Sequence, residues 1–310
     1  MSRWIVRALV SAVLAAILLK VVPFASVAAA LRRVSLWTWV TSLAIFLIGH
    51  CLNAWKLRML LGRPAVSASM CIQAQYAGLV ANLGLPGIAG GDLVRAGYLA
   101  PTAGTARVTV ASIADRIIDT ATLLILVAVA LPFAGMPPVV ARIVWTSGWW
   151  LAVLAAAGVI GCTVVFRLRH RIPLIQKVLN KLSTLSAGPG AIGRALAISV
   201  TVQAAFVLTN ARLAQELGVT TALAPWFVSW PLSKLVAVLP ISLGGLGVRE
   251  AVLVSILGQY GAPANAVLAS GILWQSVLTI SGLLGLVVSQ LLKVEAPLSP
   301  SPRAVEIKEA

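Results

Sequence analysis

The sequence predicts an all-α, polytopic membrane protein with about six full transmembrane helices and two broken, re-entrant helical hairpins in an inverted repeat. Composition, long apolar runs and a repeated Pro/Gly motif each favour this fold class. Of the 310 residues, 60% are hydrophobic, only 10% are charged, and the mean hydropathy is +0.99. A typical soluble domain carries about a quarter charged residues. The solvent around most of this chain is therefore lipid.

The formal net charge of +16 is interpreted through the membrane. Basic residues in such a chain first serve to orient its loops, so we expect no nucleic-acid partner. The three cysteines lie far apart and form no C-x-x-C pair, and the sequence has only two histidines. It therefore predicts no metal site, no disulfide framework and no cofactor.

Six apolar runs are long enough to cross about 30 Å of hydrocarbon. They lie at 5–22, 36–60, 108–131, 144–166, 195–217 and 264–292. Two further apolar regions, 66–99 and 224–259, are interrupted by Pro and Gly, so each is either a pair of half-helices or a kinked span. We expect one membrane domain at 1–293 and a disordered, cytoplasmic, Pro-rich tail at 294–310.

The basic residues predict the orientation of these crossings. Six crossings place both termini on one side, and most of the Lys and Arg residues then share that side, including the cluster at 167–171. The pair Arg32 and Arg33 is the main exception. Because basic loops remain in the cytoplasm, we expect both termini to be cytoplasmic.

The two interruptions carry a repeated motif, LPGIAGGDLVR at 85–95 and LPISLGGLGVR at 239–249. The copies align without a gap, with six identities in eleven positions at a spacing of 154 residues, from Pro86 to Pro240. Three predicted crossings lie between them, so the copies enter the membrane from opposite faces. Inverted repeats with broken helices are typical of transporters.

The residue types in the motif are suited to binding an anion. Pro stops a helix and Gly-Gly permits close backbone approach, which leaves N–H groups free to face a negative charge. An arginine that follows supplies a fork suited to phosphate. Alternatively, the glycines only allow close helix packing. The candidate substrate-binding residues here are Asn82, Pro86, Gly90, Gly91, Asp92, Arg95, Pro240, Gly244, Gly245, Arg249 and Glu250.

Four more candidates are charged residues within apolar segments. Asp115 and Asp119 share a helix face beside Arg116, and the three residues either hold helices together as ion pairs or act as a gate or proton site. Lys234 precedes the second interruption, and its side chain either extends to the interface or lines a cavity.

Three motifs in this order resemble a known family. They are N-x3-P-x3-GGD-x2-R at 82–95, ADRIID at 114–119 and LPISLGGLGVRE at 239–250. They are similar to the flippase-like family typified by the transmembrane region of lysylphosphatidylglycerol synthase, over roughly residues 5–292. The resemblance implies a multi-pass protein of the bacterial inner membrane that moves a lipid between leaflets. The family's synthases add a C-terminal soluble domain for aminoacyl transfer, which we expect to be absent here.

The expected function is therefore a flippase or transporter for a phosphate-bearing lipid such as aminoacyl-phosphatidylglycerol. Two alternatives remain open: a non-transporting accessory or scaffold for a lipid-modifying synthase encoded nearby, and an integral-membrane lipid-modifying enzyme. The sequence contains no H-E-x-x-H, D-D-x-x-D, G-x-S-x-G or P-loop motif. We therefore expect no enzyme activity and no catalytic residues. The expected partner is a membrane lipid, and the sequence leaves the oligomeric state open.

Overall fold

The computed structural model describes residues 32–62, 66–84, 89–142, 189–237 and 247–291. Within these residues there is no strand, in agreement with the predicted all-α class. Their eight helices of 11 or more residues are α1 (Leu36–Leu61), α2 (Ala68–Gly84), α3 (Ala89–Ala103), α4 (Thr105–Ala134), α5 (Pro189–Glu216), α6 (Leu223–Ala237), α7 (Val248–Gly258) and α8 (Ala264–Leu291).

Four of these helices coincide with four of the six predicted crossings. Helices α1, α4, α5 and α8 contain 26, 30, 28 and 28 residues. At about 1.5 Å per residue each is longer than the hydrocarbon layer, and all four are apolar enough to span a membrane. The predicted crossings at 5–22 and 144–166 and the predicted tail at 294–310 lie outside the described residues.

The two interrupted regions form pairs of short helices rather than single kinked spans. Helices α2 and α3 run antiparallel, because Asn82 bonds to Gly91 near the interruption while Gln75 bonds to Arg95 farther away. Helices α6 and α7 likewise pack against each other. The longest of these four, α2, has 17 residues and reaches only about 25 Å. The described part of each of the four is shorter than the roughly 20 residues that a crossing needs.

The arrangement of α1–α4 recurs in α5–α8. A shift of 154 positions carries α1 onto 190–215 and α2 onto 222–238, which are almost the bounds of α5 and α6. The contacts recur as well: α1–α2, α2–α3, α3–α4 and α1–α4 have the counterparts α5–α6, α6–α7, α7–α8 and α5–α8. Between the halves, α4–α6 matches α2–α8, and α4–α5 matches α1–α8. Exchanging the halves therefore leaves the set of contacts unchanged.

The first helices of the two halves, α1 and α5, run in opposite directions. The backbone N–H of Ser35 donates to the Glu216 carboxylate at 2.7 Å. Farther along α1, the rings of Phe46 and Phe206 stack with their centroids 5.2 Å apart. Residue numbers thus rise along α1 as they fall along α5.

The surface of the molecule is apolar and its interior holds charges, the reverse of a soluble protein. Trp37, Ile117 and Phe133 are 76%, 63% and 80% exposed, whereas Lys56 and Asp115 are 0% and 3% exposed. Large apolar side chains facing outward are suited to lipid, and charges inside hydrocarbon must face the protein interior. The described helices therefore have the surface of a membrane protein.

The contact between α1 and α5 provides a stability test. A Cβ atom at Gly49 would lie 2.7 Å from the ring of Phe206 and 3.2 Å from Val202, whereas one at Gly193 on α5 would meet nothing within 4 Å. We expect Gly49→Ala to lower stability by roughly 1–3 kcal/mol through overpacking. Gly193→Ala should be neutral or stabilising by up to about 1 kcal/mol. Thermal unfolding in detergent measures both, and equal effects would contradict this packing.

Candidate functional site

A cavity of ≈ 510 Å³ lies between the two halves, and all eight helices contribute to its lining. Near it, Asp115 and Asp119 lie 10 and 14 residues into the 30-residue helix α4, close to the helix midpoint. The cavity therefore lies near the middle of the longest described helix. The predicted site residues that line it are Asn82, Gly91, Asp92, Arg95, Asp115, Arg116, Asp119, Lys234 and Arg249.

Lys56 on α1 joins the two carboxylates of α4. Its Nζ lies 3.0 Å from Asp115 Oδ1 and 2.5 Å from Asp119 Oδ1. Asp119 also accepts a hydrogen bond of 2.6 Å from the Ser199 hydroxyl on α5. The predicted shared face of the two acids is present, and its basic partner is Lys56. Because Lys56 is fully buried, these contacts provide its compensation for lost hydration.

Arg95 on α3 extends the same network. Its Nη2 lies 3.0 Å from Asp115 Oδ2 and 3.4 Å from Asp92 Oδ1, and its Nη1 donates to Gln75 Oε1 at 3.1 Å. Gln75 Nε2 in turn donates to His50 Nδ1 at 3.0 Å. The guanidinium fork proposed for phosphate is thus occupied by protein groups in this state. A ligand phosphate would have to displace one of them.

Arg116 on α4 turns away from its neighbours in sequence and bonds to α3. Its Nε and Nη2 donate to the two carboxylate oxygens of Asp92 at 2.6 and 2.5 Å. A two-point contact of this kind is the strongest form of an arginine–carboxylate pair. Of the three charges predicted to act together on α4, the two acids therefore meet at Lys56, and the base pairs with Asp92.

The glycines of the first motif allow α2 and α3 to touch. A Cβ atom at Gly91 would lie 2.4 Å from both Asn82 Oδ1 and the Gly78 carbonyl oxygen. The N–H of Gly91 donates to Asn82 Oδ1 at 2.9 Å. This N–H is therefore bonded within the hairpin, and close packing accounts for glycine at this position. Gly90 is also buried.

The second motif forms a smaller charged pair on α7. Arg249 donates from Nε to Glu250 Oε1 at 2.9 Å, and its guanidinium lies 5.7 Å from the centre of the Trp230 ring. Glu250 Oε2 accepts from the N–H of Gly247 at 2.9 Å, which caps the start of α7. Gln275 on α8 lies 3.4 Å from Arg249 Nη2. Glu250 thus pairs with Arg249 and caps the first turn of α7.

Lys234 lines the cavity, one of the two alternatives that the sequence left open. Its Nζ donates to Gln203 Oε1 at 2.8 Å and lies 5.9 Å from the centre of the Phe206 ring. Among the described residues, no carboxylate forms an ion pair with Lys234. Its charge is therefore the least compensated in the cavity wall.

Several residues of the cavity wall, and Lys56 behind it, were not predicted as site residues from the sequence. Lys56 lies close to the end of an apolar run, where nothing in the sequence separates a buried lysine from one at the membrane interface. Phe206, Trp230 and Trp274 form an aromatic wall in which Trp230 and Trp274 meet edge to face at 5.3 Å. Isolated aromatic residues in apolar runs carry no signal that separates a cavity wall from a core.

Four candidates, Pro86, Pro240, Gly244 and Gly245, lie outside the described residues. Within the part of the chain that the structure describes, no three His, Cys, Asp or Glu side chains are grouped to hold a metal ion.

Long apolar helices around a charged central cavity define a polytopic α-helical membrane protein with an internal polar site. A family model described as the lysylphosphatidylglycerol synthase TM region matches residues 4–285. The chain belongs to this family and is thus a membrane protein related to lipid modification. The comparison with curated proteins gave no significant match. The motifs at 82–95, 114–119 and 239–250 thus indicated the correct family.

The ion-pair network can be tested by removing its buried cation. Lys56→Met leaves Asp119 without a cationic partner, and we expect a loss of roughly 3–5 kcal/mol. In the double variant Lys56→Met/Asp119→Asn, Arg95, Arg116, Asp92 and Asp115 remain as a neutral set. The double variant should therefore melt at a higher temperature than the single variant in detergent. A double variant that is as unstable as Lys56→Met, or less stable, would contradict this role of the network.

Proposed function

We propose that this protein is a lipid flippase or transporter that moves a phosphate-bearing lipid, such as aminoacyl-phosphatidylglycerol, between the leaflets of the bacterial inner membrane. The central cavity is the observation that carries this proposal. It combines a position near the middle of the long helix α4, a lining from all eight described helices and a polar wall inside an apolar protein. A lipid headgroup needs such a path because its charge cannot cross hydrocarbon unaided.

The charges around the cavity favour an anionic headgroup. Five cations and four carboxylates line it or lie directly behind its wall, which leaves one positive charge in excess. They are Lys56, Arg95, Arg116, Lys234, Arg249, Asp92, Asp115, Asp119 and Glu250. The excess is associated with Lys234, which contacts Gln203 and Phe206 and forms no direct ion pair with a described carboxylate. A phosphate can therefore bind without displacing a carboxylate from this lysine.

The proposed architecture is six crossings and two re-entrant hairpins, with the halves related by a two-fold axis in the membrane plane. The antiparallel α1 and α5 and the matching contacts of the two halves support this arrangement. We also propose cytoplasmic termini, which the distribution of basic residues in the sequence favours. In such transporters one half rocks against the other around a fixed central site.

Two other functions make different demands on this cavity. A scaffold that only binds a lipid-modifying synthase has no need of charges at the membrane centre, which are costly to bury. An enzyme needs a nucleophile, a metal or an acid–base pair placed to react. Within the described site the carboxylates are engaged by cations, which favours binding over catalysis. A transport assay separates the proposal from both.

Transport is expected to depend on the charge at Lys234. In liposomes, Lys234→Met should slow translocation of a fluorescent anionic phospholipid by about tenfold, since one charge-assisted contact is worth about 1.5–3 kcal/mol. Lys234→Arg should retain most of the rate. Arg194→Met, at an exposed position on α5 outside the cavity lining, is the matched control for loss of a cation. Equal rates for wild type and Lys234→Met would contradict the proposed site, and no translocation by wild type would favour the scaffold.

A further inference from the structure

We propose that a groove between α3 and α4 is a lateral entrance to the central cavity for an anionic phospholipid, whose phosphate takes the place of Asp92 on Arg116. This inference rests on the proposed lipid transport and adds to it the entry route and the ion pair that opens it.

The groove has a volume of ≈ 660 Å³ and lies on the outer face of the helix pair. Asp92, Arg116 and Thr120 line both the groove and the central cavity. These three side chains therefore form the wall between the two spaces. A ligand in the groove reaches the cavity when the contact between Asp92 and Arg116 opens.

The groove has the length and the mainly apolar wall that suit the acyl chain of a lipid. It follows α4 from Thr109 to Leu124, a length of about 22 Å. Its wall is mostly apolar, with Ile113, Ile117 and Leu124 55%, 63% and 53% exposed, and the charged pair of Asp92 and Arg116 lies near the middle of this length. With the start of α4 on the cytoplasmic side, an inner-leaflet lipid whose phosphate reaches Arg116 has its acyl chains along Ile117 and Leu124.

A second observation places a polar group of the ligand in this groove. The Ser112 hydroxyl oxygen is buried and has no hydrogen-bond partner among the described residues. Buried polar atoms without partners are rare, and such an atom on a groove wall is suited to an oxygen of a bound molecule. A headgroup oxygen beyond the phosphate, such as a hydroxyl of phosphatidylglycerol, meets this requirement while the phosphate reaches Arg116 and an acyl chain contacts Ile117.

The ion pair at the wall is suited to exchange. Arg116 bonds both oxygens of Asp92, yet its side chain is 42% exposed, compared with 6% for Arg95. A phosphate offers two oxygens of the same geometry, so Arg116 remains paired when Asp92 leaves. Asp92 still has Arg95, whose Nη2 lies 3.4 Å from it. The wall therefore opens without leaving an isolated charge in hydrocarbon.

Photocross-linking in nanodiscs tests this entrance without relying on transport. The photoreactive residue p-benzoylphenylalanine replaces Ile117 in the groove or Ile48 on α1, a control that is 60% exposed and absent from the groove lining. Both sites lie about 18–20 Å from the same end of the helix bundle. The phosphatidylcholine nanodiscs contain phosphatidylglycerol and diacylglycerol with identical chains at equal mole fractions, and mass spectrometry identifies the adducts.

The ratio of phosphatidylglycerol to diacylglycerol adducts should be about tenfold higher at position 117 than at position 48, as for one charge-assisted contact. Arg116→Gln should abolish this excess, and Asp92→Asn should increase it because the competing carboxylate is lost. Ser112→Trp fills the groove without changing the charges, so it should reduce all lipid adducts at position 117 even if the charge variants fail to fold.

The proposed entrance would be contradicted by equal ratios at the two positions. It would also be contradicted if the residue at position 117 cross-linked only to protein. If wild type translocates phosphatidylglycerol but shows equal ratios, the entrance is wrong and the proposed function stands. If the excess is present but translocation is absent, the groove is a phospholipid site and the proposed function is wrong.

Discussion

Charges within hydrocarbon must be compensated by other parts of the protein, and this constraint explains most of the described structure. A buried charge without a partner is expensive, so each acid of α3 and α4 contacts a cation. Lys56 joins α1 to α4, and Asp92 and Arg95 join α3 to α4. The ion pairs thus hold the first half together around the cavity, while the apolar side chains are left to face lipid.

The same constraint makes the site suitable for ligand exchange. A set of ion pairs without net charge can lose one charged group only if another ion of the same sign replaces it. Around this cavity, a phosphate can replace Asp92 on Arg116 or bind at Lys234, whose nearest described partners are Gln203 and Phe206. The arginines and lysines then exchange carboxylate partners for phosphate as the headgroup moves. Both halves supply such charged groups, because each contributes a charged motif to the cavity wall.

The sequence predicted the long helices well because length and apolarity identify a crossing, as α1, α4, α5 and α8 demonstrate. It also singled out Arg95, Asp115 and Arg249, which line the cavity, since charges in apolar runs are conspicuous. It did not predict which charges pair, because Arg116 reaches Asp92 across 24 positions and Lys56 reaches Asp119 across 63. Such pairings depend on how helices pack, and the aromatic wall depends on the same packing.

Native mass spectrometry of the protein released directly from membranes tests most directly whether the cavity holds a phosphate-bearing lipid. Wild type should retain a phospholipid through detergent removal, Lys234→Arg should retain it, and Lys234→Met should lose it while Arg194→Met does not. Retention of the same lipids by wild type and Lys234→Met, or of lipids without phosphate only, would contradict the account.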